Sequence, residues 1–174
     1  LSDKEVELIA NAGTRCVHMP LSNCEVGGGI APIPELLEKG VTVGLGSDGY
    51  INDMFEVMRS AFLIHKARLQ DPGVMNAAQV FDMATLQGAK ALGFEDVGAL
   101  QPDFVADLQL VDANFPTPLT EENLLEQLLL YRSNRHVDSV MVAGEWKMQN
   151  GEIIGVNIED QRESLHRQTD RLWR

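Results

Sequence analysis

The segment Val41-Thr-Val-Gly-Leu45-Gly-Ser-Asp48 is a near-continuous apolar run that ends in a carboxylate beside glycines. Such a run reads as a buried strand of a parallel sheet. In parallel α/β folds, ligands and catalytic groups collect at the carboxyl ends of the strands. A carboxylate at that place can ligate a metal, act as a general base, or do both in turn. An Asp that only caps the following loop fits the position equally well. The stretch His18-Met-Pro-Leu-Ser22-Asn23 leaves the preceding strand at the same kind of end. Ser22 and Asn23 carry hydrogen-bond donors suited to a substrate, and both residue types also favour turns.

Three further patterns bear on chemistry. Gly44, Gly46 and Gly49 match G-x-G-x-x-G between a strand and a helix, the spacing at which helix-end amides receive a pyrophosphate. The segment after Asp71-Pro-Gly73 is helical again, so the second strand and acid of that fingerprint are missing. A nucleotide-binding α/β module built on these glycines is one alternative function. Zinc needs several N, S or O ligands. His18, His65, His136 and His166 form neither H-x-H nor H-E-x-x-H. Cys16, His18, Cys24 and Asp48 make a weak metal cluster, because Cys24 has no paired cysteine at CxxC spacing. His65 reads as a packed histidine, and His136 and His166 carry no site argument.

The elements that must position these residues alternate. Residues 3–12 predict a short helix behind a capping box of Ser2 and Glu5. Residues 14–18 predict a strand, 19–29 a loop, 35–38 a short helix, 41–45 a strand, and 53–69 a helix capped by Asp53. That order is the βα repeat of a parallel α/β sheet or barrel. A further helix runs from Asn76 to Gly93, with a break near Thr85. The character then changes to a strand over 106–111, a Pro-punctuated linker, and a helix after Thr120. Strands follow over 137–142 and 145–148, with a hairpin at Asn150-Gly151 and a charged helix over 158–174.

Of 174 residues, 14 are basic and 26 acidic, for a net charge of −12. That balance disfavours nucleic acid and anionic membrane surfaces as partners. No apolar run approaches the roughly 20 residues of a membrane span. Two cysteines make no disulfide framework, which suits a reducing cytoplasm. The chain opens Leu1-Ser-Asp3, already inside a helix signal, and reads as the C-terminal piece of something longer.

His18-Met-Pro-Leu-Ser-Asn23, Gly29-Ile-Ala-Pro32 and Gly40-Val-Thr-Val-Gly-Leu-Gly-Ser-Asp-Gly49 resemble the last two barrel strands of the amidohydrolase superfamily. The likeness is to its chlorohydrolase and cytosine-deaminase-like branch. Asp48-Gly-Tyr-Ile-Asn-Asp-Met-Phe-Glu56 and the stretch Asp112 to Asn123 look most like the SsnA-type aminohydrolases of that branch. The stretches 97–100 and 106–112 and the hairpin 140–151 resemble the superfamily's return into a small β-sandwich. Ser47 stands where Thr is usual, and Gln101-Pro-Asp-Phe-Val105 departs from the usual turn. The segment between Gly49 and Asp53 is shorter than in the adenosine-type deaminases, and their substrate is not assigned on this likeness.

The resemblance implies an α/β fold: residues 1–96 as the C-terminal part of a metal-dependent hydrolase TIM barrel, its last two βα units. Residues 97–155 would be strands of a small β-sandwich domain with an inserted helix. Residues 156–174 would be a helix packing back on the barrel. It implies hydrolytic deamination of a purine-, pyrimidine- or amidine-like small molecule by a cytoplasmic, homo-oligomeric enzyme. Asp48 would ligate a divalent metal, zinc or alternatively iron, and carry a proton from the attacking water. Ser22, Asn23 and Asn52 would lie near the substrate. The superfamily's H-x-H and its other metal-binding histidines are not in this sequence, so the remaining ligands are absent from this chain. A non-catalytic interaction scaffold is the other alternative.

Overall fold

Two short strands lie side by side in parallel, and the helices of the first half pack around them. The structure is a computed structural model and describes residues 1–173. Helix α1 (Asp3–Asn11) starts where the amide and hydroxyl of Ser2 both donate to the Glu5 carboxylate, at 2.6 and 2.9 Å. Strand β1 (Cys16–His18) follows. Helix α2 (Pro20–Glu25) stands where a loop was expected. Pro20 sets the first helical φ, and six residues are too few to show helical periodicity. Helix α3 (Ile33–Glu38) and strand β2 (Val43–Leu45) complete the second unit. Strand β1 pairs with β2 in the register Cys16–Val43, Val17–Gly44, His18–Leu45.

Helix α4 (Met54–Leu69) buries Phe55, Val57, Met58, Ala61 and His65. Met54 and Leu69, at the two ends of the helix, are exposed. Helices α5 (Ala77–Ala84) and α6 (Leu86–Leu92) meet at the expected break. There the Thr85 hydroxyl donates to the Phe81 carbonyl at 2.8 Å. Helix α6 lies directly on β2. A methyl added at Gly44 would sit 3.0 Å from the Gly88 Cα and 3.4 Å from the Ala91 Cβ.

The second half is one antiparallel sheet in the order β3-β4-β5-β6. Strand β3 (Leu108–Val111) begins two residues late, because Ala106 and Asp107 instead accept from the amides of the turn residues Gly144 and Ala143. Helix α7 (Leu124–Tyr131) is inserted before β4 (Val137–Val142), β5 (Glu145–Gln149) and β6 (Glu152–Ile153). Leu129 of α7 is fully buried in the same core as Val80 and Met83 of α5. Arg59 of α4 ties the halves together, donating to the Arg132 carbonyl at 2.6 Å. The Arg132 guanidinium lies 3.9 Å from the Phe115 ring and donates to the Asp112 carbonyl.

Helix α8 (Ile158–Leu172) buries no residue. Its apolar residues Ile158, Leu165 and Leu172 recur only every seventh position, a stripe too narrow to make a buried face. The end of the expected helix, Arg174, lies outside the described residues. Among the described residues no helix is long and apolar enough to cross a membrane.

The core also encloses two histidines. His18 ends β1, His65 lies on α4, and their Nε2 atoms are 3.0 Å apart. Burial, with His65 beside it, pushes His18 down to about 3. Burial and the nearby Arg68, opposed by Glu35, push His65 down to about 4. Both are then neutral in the folded state and protonate more readily in the unfolded chain, whose imidazoles titrate near 6.5. Stability from this pair is complete above about pH 6.5 and falls as the pH drops toward the folded values. Denaturant unfolding of the wild type and of His65→Phe, from about pH 7.5 to about pH 4.5, reads this directly. The wild type should lose stability more steeply than the variant, and equal slopes would contradict the assignment.

Candidate active site

Asp48 lies three residues beyond β2, in a turn made by two successive left-handed residues, Asp48 at φ 56° and Gly49 at φ 69°. A left-handed aspartate is uncommon and local hydrogen bonds usually support it. Here the Tyr50 amide donates to the Ser47 carbonyl at 3.1 Å. The Ser47 hydroxyl donates to Asn52 Oδ1 at 2.7 Å and closes the turn from the other side.

The decisive bond comes from helix α2, which follows the neighbouring strand. Buried Ser22, on α2 just past the end of β1, donates its hydroxyl to Asp48 Oδ2 at 2.6 Å. A short hydroxyl–carboxylate bond of this kind fixes the carboxylate's direction. The second oxygen, Oδ1, has no hydrogen bond among the described residues. Asn23 follows Ser22, is half-buried, and its side chain makes no hydrogen bond among the described residues. The structure thus brings Ser22 and Asp48 together and places Asn23 beside them. Asn52 is tied to Ser47, on the same turn.

Other candidates separate. Among the described residues no group of three His, Cys, Asp or Glu side chains can hold a metal ion. The cluster of Cys16, His18, Cys24 and Asp48 does not form, because His18 turns to His65. Cys16 is half-buried, which raises its thiol pKa, and Cys24 is exposed. His136 closes a turn with the amide of Ser133, and His166 lies on exposed α8.

The glycine pattern has a packing cause. Gly44 admits α6, and a methyl at Gly46 would come 2.9 Å from Val17 Cγ1. The N-terminus of α4 is taken by Asp53, whose carboxylate accepts from the Phe55 amide at 2.9 Å and the Asn134 amide at 3.2 Å. A carboxylate already seated there repels a pyrophosphate. The nucleotide-binding reading of Gly44, Gly46 and Gly49 therefore fails. The Asn134 bond joins residues 81 positions apart and leaves no local sequence signal.

The amidohydrolase family model matches residues 1–147. The chain belongs to the amidohydrolase family. It is similar to the 5'-deoxyadenosine deaminase of Methanococcus aeolicus, 38% identical over 99% of this chain and 41% of that protein. It is also similar to the 5-methylthioadenosine/S-adenosylhomocysteine deaminase of Pelotomaculum thermopropionicum, 37% identical over 91% of this chain and 38% of that protein. Among solved structures, an adenosine deaminase from Xanthomonas campestris with bound zinc superposes with a TM-score of 0.91 at 32% identity. That superposition covers 98% of this chain and 40% of the other. The chain thus spans about two-fifths of the length of the relatives it matches.

Gly44→Ala separates packing from ligand cradling. It should cost about 2–3 kcal/mol, since α6 must move off β2. Gly49→Ala, with open space around it, should cost only about 1 kcal/mol from its left-handed backbone. Denaturant unfolding measures both, and equal losses would contradict the close approach of α6.

Proposed function

We propose that this chain is the C-terminal part of a metal-dependent aminohydrolase that removes an amino group from an adenine nucleoside or a closely related ring. The observation that carries this is the Ser22–Asp48 bond, which holds a carboxylate between the ends of two parallel strands. Residues 1–96 are assigned to the last two βα units of a TIM barrel, and the antiparallel strands within 97–155 to a small β-sandwich. The deaminase names of the relatives favour a purine nucleoside within this family. The finer likeness to SsnA-type aminohydrolases rests on the stretches 48–56 and 112–123.

The donor set fits one position in a metal's coordination sphere. Asp48 offers a carboxylate with one oxygen free, and the other ligands would come from residues outside this chain. The metal is assigned as zinc, with iron the alternative; the zinc in the Xanthomonas structure supports the first. When bound, it supplies Lewis-acid chemistry and lowers the pKa of water. The chain's own residues do the rest. Asp48 turns its free oxygen to the reacting centre and can take a proton there. Ser22 keeps that carboxylate from rotating. Asn23 and Asn52 are assigned to the substrate side of the site. The small-molecule substrate, a homo-oligomeric enzyme and a cytoplasmic setting complete the reading. The two free thiols support the last.

Two measurements test it. In the full-length enzyme, Asp48→Asn should reduce ammonia release from 5'-deoxyadenosine at least about 10³-fold, with the melting temperature nearly unchanged. Near-native turnover would overturn the role. The 174-residue chain alone should not retain zinc after gel filtration, since it supplies one ligand of about four. Stoichiometric zinc would show a site complete within the chain.

A further inference from the structure

We infer that His65 is a positioning residue for the site: by its Nε2–Nε2 hydrogen bond to His18 it fixes the end of β1, and with it the α2 turn that holds Ser22 against Asp48. This rests on the deaminase reading above. The two imidazoles are buried titratable groups that the proposed chemistry does not otherwise use. His65 is fully buried and His18 nearly so. Their ring centroids lie 5.0 Å apart, tilted by 51°.

The geometry is specific. Two Nε2 atoms facing each other at 3.0 Å need one proton between them, so one ring donates and the other accepts. Among the described residues each Nδ1 is buried without a partner, so this bond is the only polar tie either ring makes there. A single hydrogen bond in so buried a place is strong, and losing it strands a buried nitrogen.

The consequence runs along the chain. The His18 carbonyl also accepts from the Gly46 amide at 2.9 Å, so the end of β1 is held on one side by β2 and on the other by α4. Pro20 starts α2 two residues later, and Ser22 follows within its first turn. Asp48 lies two residues past Gly46. The His65 tie is thus the side-chain half of a clamp on the backbone between the donor and acceptor of the Ser22–Asp48 bond. Arg68 on α4 and Glu35 on α3 flank His65 and are joined to each other at 2.6 Å, so α4 itself is braced against α3.

The test compares His65→Phe, which keeps a ring but no nitrogen, with His65→Gln, whose amide can still reach His18. Both are made in the full-length enzyme. His65→Phe should lower kcat about 10- to 100-fold while KM changes less than about threefold, as expected when a reacting group is misplaced but binding survives. His65→Gln should recover most of the loss. A folded His65→Phe enzyme with unchanged kcat, or equal loss in both variants, would overturn the inference. Selective 15N-histidine NMR of the wild type provides a readout without activity. It should show one hydrogen-bonded imidazole proton shared between the two rings; its absence from the wild type would also overturn the inference, even if His65→Phe fails to fold. A wild-type enzyme that releases no ammonia overturns the deaminase reading and the positioning role with it. The NMR signal distinguishes that failure from a missing hydrogen bond.

Discussion

A proton donated by Ser22 to Asp48 across 2.6 Å joins two parts of the chain 26 residues apart. Everything around it serves that bond. The parallel pairing of β1 and β2 brings the two strand ends level. The left-handed Asp48–Gly49 turn aims the carboxylate sideways toward α2, away from the line of β2. Pro20 starts α2 at once, so that Ser22 falls within the first helical turn and is buried. Shift the strand register by one residue and the ends no longer meet, since successive side chains point to opposite faces.

The support extends into the second half of the chain. Asp53 ends the turn that carries Asp48 and Asn52, and its carboxylate grips both the start of α4 and the amide of Asn134. Arg59, one turn further along α4, holds the Arg132 carbonyl and an ion pair to Glu56. The antiparallel sheet is therefore tied to the same helix end that borders the site. Burial of Leu129 against α5 adds the apolar part of that joint.

Much of this was legible in the sequence because its cause is local. The apolar run into Asp48, the caps at Asp53 and Asn76, the break at Thr85 and the two-residue turn at Asn150-Gly151 all depend on neighbours within a few positions. The family likeness lay in the same segments. What escaped depends on distance or brevity. Helix α2 is six residues long and looked like a loop. The His18–His65 bond spans 47 positions, and a packed histidine gives no sign of its partner. The glycines at 44, 46 and 49 carried a nucleotide pattern for different physical reasons: the close approach of α6 at Gly44 and of Val17 at Gly46, and a left-handed backbone at Gly49. Helix α8 is helical as its charged composition suggests, but helix propensity says nothing about what it packs on.

The central claim is that Asp48 is a metal ligand held in place by Ser22. Anomalous diffraction at the zinc edge, on crystals of the full-length enzyme, tests it most directly. A single strong peak is expected about 2.0–2.2 Å from the free oxygen of Asp48, with the other oxygen still bonded to Ser22. A peak bound entirely by other residues, with Asp48 bonded only to Ser22 and solvent, would contradict it.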